Sequence, residues 1–214
     1  MFRRIMSVFA LAIMIVAGSS LPANAGTKDK TRVFDFASGA PVSSAFSMLD
    51  RGPDGVATKV RTRGIAGDAY TGWYVIFNAP GNCSDGVCGE DDIFNTDGSF
   101  NASQIEAARI AVVWSQAGAV ANPAGRIKLD GGLAEGEVPG GVNQVVIGLE
   151  EDGALVPLGV VSSIEDTMVA EIHIVLQNHG PAHSDAALLD QQLTMFHGAC
   201  NPECIDVQFA VHLP

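Results

Sequence analysis

The residues with the most chemical capability lie together in the stretch AEIHIVLQNHGPAH, 170–183, which carries three of the chain's five histidines and a glutamate. A two-residue period places Val169, Glu171, His173, Val175 and Gln177 on one face of a strand, and Ala170, Ile172, Ile174 and Leu176 on the other. The second set is the core face. Glu171 and His173 therefore project together, with Cα atoms about 6.6–7 Å apart, so both could grip one metal ion. His179 and His183 lie in or after the turn 178–182 and could fold back toward that face, and His197 is a fifth candidate. Imidazoles plus a carboxylate suit zinc or copper. The competing reading places Glu171 and His173 on the solvent side of a strand, which requires no metal.

A second group of candidate ligands is acidic. Residues 78–98 form a long polar loop containing Glu90, Asp91, Asp92 and Asp97. The run Asn95-Thr96-Asp97-Gly98 resembles the middle of an EF-hand loop, but that frame puts Ile93 at position 1 and Gln104 at position 12, where carboxylates are required. The EF-hand reading fails, and a looser calcium site from the four acids stands beside a merely solvated loop.

The four cysteines are Cys83, Cys88, Cys200 and Cys204. Three disulfide connectivities exist, and two local bridges are expected because each pair sits in a turn-rich segment, NCSDGVC and ACNPEC. On the loop-entropy model a bridge this short contributes about 2 kcal/mol, and a long-range 83–204 bridge about 5 kcal/mol. A four-cysteine zinc site is the third possibility, and an oxidising compartment counts against it.

That compartment is inferred from residues 1–25. Arg3 and Arg4, the apolar run 8–17 and the small residues Ala23-Asn24-Ala25 have the form of a secretory signal peptide. Cleavage is expected near Ala25, leaving a single domain, 26–214, secreted or periplasmic. No later stretch reaches the ~20 apolar residues of a membrane span, so no membrane anchor is expected. Without Arg3 and Arg4 the chain holds 10 basic and 24 acidic residues, a formal charge of −14. Such an excess repels phosphate backbones and anionic lipid, so nucleic acid is not an expected partner.

The elements that must position these residues read as short strands. Residues 26–32 look like a frayed polar start, and 32–50 like one or two strands around the turn 38–41. Residues 56–63 (VATKVRTR) form a strand with Lys59, Arg61 and Arg63 on one face, as in a charge-guarded edge strand. The run YTGWYVIFN, 70–78, is apolar on both faces and reads as a central, covered strand. A short helix fits 101–108 with Asn101 or Ser103 as cap, followed by strands at 109–116, 126–129, 133–137, 143–150 and 154–162. In a last strand Ile205, Val207, Phe209, Val211 and Leu213 point inward and His212 falls on the polar side. The expected fold is all-β: an antiparallel β-sandwich of Ig-like or Greek-key type, with one short helix and long disulfide-containing loops.

Enzyme signatures are absent from the sequence: no G-x-S-x-G elbow, H-E-x-x-H, phosphate loop or dinucleotide fingerprint. A Ser–His–Asp set converges from distant positions and nothing in the sequence selects one. The segments GWYVIFNAPGN, CSDGVCGEDD and AEIHIVLQNHGPA resemble an uncharacterised family of secreted bacterial β-sandwich proteins. His-Gly-Pro-Ala at 179–182 also resembles the I-H-G-P-A segment of CHRD (chordin-type) domains, which implies an exported β-sandwich. The functional expectation is an exported non-enzymatic binding or structural module for an unknown protein or small ligand. The alternatives are a copper or zinc protein using Glu171, His173, His179, His183 and His197, and a calcium-stabilised surface module.

Overall fold

The computed structural model describes residues 26–138, 146–149, 155–157 and 163–214; residues 1–25, where a signal peptide is expected, and most of the apolar runs 143–150 and 154–162 lie outside them. Two antiparallel sheets face each other. The four-stranded sheet has the order β1 (Thr27–Thr31), β3 (Phe46–Gly52), β4 (Gly55–Arg63), β7 (Arg126–Ala134). The five-stranded sheet has the order β2 (Phe34–Asp35), β11 (Ile205–His212), β10 (Glu171–Pro181), β5 (Asp68–Phe77), β6 (Ile110–Val120). A two-stranded ribbon, β8 (Val146–Leu149) with β9 (Leu155–Pro157), completes the described strands. This is the antiparallel sandwich read from the sequence, with the core between the sheets built from residues such as Leu49, Val60, Tyr74, Ile127, Ile172, Ile174 and Leu176.

The two sheets differ in how their strands are covered. In β4 buried and exposed residues alternate along the strand, as expected where one face meets water. In β5 nine of ten residues are buried, because this strand lies between β10 and β6 and is covered on its outer side as well. The cover has two parts. One is the loop 78–101, closed by the Cys83–Cys88 disulfide and followed by helix α1 (Ala102–Ala108), which starts at Asn101, whose side chain accepts the Gln104 amide. The other is helix α2 (Ala186–Thr194), capped by Asp185, and the following loop closed by Cys200–Cys204. Gly118 of β6 lets α2 approach: a Cβ there would collide with the Leu193 carbonyl. Both local disulfides therefore form as expected.

Several strands differ from the sequence reading. Residues 27–31 are paired rather than frayed, because β1 completes a ladder with β3 from Thr27↔Arg51 to Thr31↔Ser47. The candidates 126–129 and 133–137 are one strand, β7, since Gly131 and Gly132 stay in register with Thr58 and Ala57. Helix α2 is additional to the one expected. β4 is an interior strand, flanked by β3 and β7 along its length, and not an edge. The phase of β11 is also inverted. Directly opposed residues share a face, and the pairs Ile172↔His212, Ile174↔Ala210 and Leu176↔Gln208 carry His212, Ala210 and Gln208 into the core. Ile205 and Leu213 are left exposed, and Phe209 turns outward against Phe34 and Phe36, with ring centroids 5.6 and 5.3 Å away.

Candidate functional site

β10 runs through the middle of the five-stranded sheet and carries two of the four candidate histidines, His173 and His179. Glu171 and His173 project together from its outer face, with Glu171 Oε1 2.7 Å from His173 Nε2. They are not solvated: Glu171 is 7% exposed, and the His173 ring packs against Phe77 with centroids 4.9 Å apart. Phe77 belongs to the small apolar cluster with Cys83, Cys88, Ala108 and Ile110 that seats the first covering loop. The pair is thus a polar contact beneath a cover.

At the other end of the same face, His179 is fully buried. Its Nδ1 is 2.9 Å from the Gly198 carbonyl, which only accepts, so Nδ1 carries the proton. Nε2 then accepts from Thr71 Oγ1 at 2.8 Å, and Thr71 Oγ1 accepts from Trp73 Nε1 at 2.9 Å. Both ring nitrogens are engaged. Burial pushes the imidazole below its ordinary value, opposed by the Gly198 carbonyl and reinforced by His197. Cys204 Sγ lies 3.2 Å from Nδ1, so the ring also backs the second disulfide. Gly180, at φ +78°, allows the chain to turn here; a Cβ would meet the Asn201 carbonyl.

The remaining histidines hold the cover in place. The His183 amide donates to Gln192 Oε1 at 2.9 Å, and Gln192 Nε2 donates to the carbonyls of His179 and Pro181. His197 donates its backbone N–H to Gln177 Oε1 at 3.0 Å, and its ring stacks on Phe196, which meets Trp73 edge-on. Burial lowers the His197 pKa, with Asp206 opposing. Of the five metal candidates, the structure brings Glu171 and His173 together and places His179, His183 and His197 among α2 and the loop after it. Among the described residues, the clusters of three or more ligand-type atoms within 4.8 Å are His179 with Cys200 and Cys204, and Cys83 and Cys88 with Asp92. In both clusters the sulfurs are joined as disulfides.

The calcium candidates are engaged in loop geometry. Asp92 is buried and accepts the amides of Ser84 at 2.8 Å and Gly89 at 3.0 Å. Asp97 accepts both the amide and the hydroxyl of Ser99, which lower its pKa. Asp91 is 3.4 Å from Ser84 Oγ, and Glu90 opens the same short turn.

One constellation was not read from the sequence. Asp29 of β1, His212 of β11 and Ser47 of β3 meet across the sandwich. Asp29 Oδ2 is 2.6 Å from His212 Nδ1, and His212 Nε2 is 2.9 Å from Ser47 Oγ. The carboxylate requires a proton on Nδ1, so Nε2 accepts from the serine hydroxyl. This is the hydrogen-bond order of a nucleophilic serine triad. Yet Ser47 and His212 are both 0% exposed, so no substrate carbonyl can reach Oγ. Arg51 lies beside them, 2% exposed, and donates to the carbonyls of Thr167, Ala170, His212 and Leu213. Burial lowers the His212 pKa, against the Asp29 bond and with Arg51 and His173 adding to the depression. The apolar period of the sequence put His212 on the polar side, and only the inverted phase of β11 in the fold turns it inward.

Compared with known proteins, the chain matches no family model, and no curated protein or solved structure is found to be similar to it.

Proposed function

We propose that the chain is an exported, non-enzymatic β-sandwich module that binds or supports a partner outside the cytoplasm. The observation that carries this reading is the state of its chemistry-bearing side chains. Ser47, His212 and Asp29 have triad order but no exposed serine oxygen. His179 has both ring nitrogens committed within the fold. Each group joins strands or pins a covering loop, the role of a satisfied buried network. Two local disulfides, and no helix among the described residues long and apolar enough to cross a membrane, agree with an exported module.

The test is labelling of the purified protein with a fluorophosphonate serine probe, together with an ester-hydrolysis assay. Ser47 is expected to remain unlabelled, and Ser47→Ala is expected to cost about 1 kcal/mol of stability, with no hydrolysis to lose. Covalent modification of Ser47, or turnover abolished by Ser47→Ala, overturns the reading. A metal role retains the Glu171–His173 pair as its foothold; stoichiometric zinc or copper that is lost in His173→Ala would favour it instead.

A further inference from the structure

The basic residues of this acidic chain are concentrated in one place. Residues 26–214 hold 10 lysines and arginines. Seven of them stand on the outer face of the four-stranded sheet: Lys28 and Lys30 on β1, Lys59, Arg61 and Arg63 on β4, Arg126 and Lys128 on β7. The register aligns them in rows across the strands, Lys30–Met48–Lys59–Asp130, then Phe46–Arg61–Lys128, then Arg63–Arg126. Asp50 and Asp130 are the acids among them, so the face carries +5 while the rest of the chain from residue 26 carries −19. Neighbouring strands are about 4.8 Å apart, and successive residues on one face about 6.7 Å. The cations therefore form a grid of that spacing.

Strand protection does not account for the whole grid: β1 and β7 are the sheet's edges, but Lys59, Arg61 and Arg63 stand on β4, which is interior and needs no guarding. Stability does not account for it either. Arg61 faces Lys128 and Arg63 faces Arg126 as direct cross-strand partners, and like charges directly opposite destabilise a sheet. Internal neutralisation is partial: Lys28 pairs with Asp50 at 2.9 Å and Arg61 with Asp130 at 2.7 Å. Lys59, Arg63, Arg126 and Lys128 stand exposed, without an acidic partner among the described residues.

We propose that this sheet face binds a linear acidic polysaccharide, its carboxylates or sulfates seated on the rows of Lys59, Arg61, Arg63, Arg126 and Lys128. The inference rests on the binding-module reading and gives it a ligand class. Among the described residues the face is an open sheet surface, suited to an extended chain with charges repeated at sugar intervals. The Phe46 ring lies under the Lys30 ammonium, 4.2 Å from its centroid, and offers no platform on which a nucleobase could stack. Among the described residues, none of the exposed large apolar side chains lies on this face to enter a bilayer. The surrounding −19 charge repels any polyanion broader than the face, such as duplex DNA or an anionic membrane, while a single polysaccharide chain lies within four strands.

The test is a binding titration of the purified protein with heparin, polygalacturonate and neutral dextran, with single-stranded DNA and anionic vesicles alongside. Binding to heparin or polygalacturonate but not to dextran is expected, with affinity falling at least about tenfold between roughly 50 and 200 mM salt. Arg126→Gln should weaken it severalfold. Arg109→Gln, the same change of charge off this face, should not. The triple variant Arg63→Gln, Arg126→Gln, Lys128→Gln should lose at least tenfold while its melting curve stays that of a folded protein. Absence of binding at low salt, equal weakening by Arg109→Gln, or tighter binding to DNA or vesicles than to either polysaccharide overturns the proposal. A protein that bound no polyanion yet kept Ser47 unlabelled would sink this inference alone; labelled Ser47 would sink the binding-module reading.

Discussion

The outer faces of the two sheets have been given opposite treatments. Over the five-stranded sheet lie two loops and two helices, each loop closed by a disulfide, and the strands beneath are buried on both sides. Over the four-stranded sheet the described residues leave a bare surface of lysine and arginine. The covered face keeps nearly all the residues that look chemical in the sequence: Glu171, His173, His179, His197 and all four cysteines. The bare face has only charge. Residues with catalytic character here act as internal ties, and the unpartnered chemistry lies in the plainer alternation of VATKVRTR.

The largest effect expected from this contrast comes from removing an aromatic on each side. Trp73 is 3% exposed, meets Phe196 at 5.0 Å and donates into the Thr71–His179 chain. Trp73→Ala should cost about 3–5 kcal/mol by urea unfolding, from the cavity and the lost packing under α2. Phe46 is half-buried on the bare face with a lysine above it, and Phe46→Ala should cost about half as much. Equal losses would mean that the two faces are alike in their packing, and the contrast would fail.

How much of this could be read in advance follows from the same asymmetry. Where one face meets the core and the other water, periodicity sufficed, as in β4; in β10 the outer face is covered, but its polar residues Glu171, His173 and Gln177 still marked Ile172-Ile174-Leu176 as the core face. β5 announced itself by apolar residues on both sides. β11 defeated the reading because its outer face, only partly covered, is the more apolar one. Phe209 turns outward to meet Phe34 and Phe36, while the sandwich interior accepts Gln208 and His212 because Thr62 and Ser47 satisfy them. β1 was missed because TKDKT has no apolar residue to mark a strand; its ladder with β3 and the Asp29–His212 bond hold it. The polar ties were illegible for a different reason. His212 is 165 positions from Ser47 and 183 from Asp29, and no local pattern encodes such a meeting.

A second, smaller effect is pH-dependent. His179 and His197 beneath the cover, and His212 between the sheets, are all held below the ordinary imidazole value, with burial the largest cause. Each therefore binds its proton more weakly in the folded chain than in the unfolded one, so acid favours unfolding. Stability should be complete above the unfolded value of about 6.5 and fall as pH drops from there toward the lowered values. Urea midpoints at pH 7.5 and 5.5 measure it directly. Thr71→Val, which removes the His179 Nε2 partner, should alter that pH dependence, whereas Lys59→Gln on the bare face should not. A midpoint that is flat or rises on acidification would show that these imidazoles are not held neutral by burial.

The smallest effect on stability separates a structural surface from a binding one. Arg63 and Arg126 are direct cross-strand partners of like charge. Replacing Arg63 with threonine, a good strand residue, removes that repulsion and should stabilise the fold by about 0.2–1 kcal/mol at low salt. The gain should shrink once the Debye length drops to about 10 Å near 0.1 M. The same variant should bind an acidic polysaccharide more weakly. Selection for stability alone would remove such a pair, and with 24 acidic residues in the chain an opposite charge could readily have stood at either position. A variant that becomes more stable as its affinity falls would mark the grid as a surface maintained against the fold's own preference. A variant that loses both together would make Arg63 one more internal tie, and the bare face would differ from the covered one only in lacking a lid.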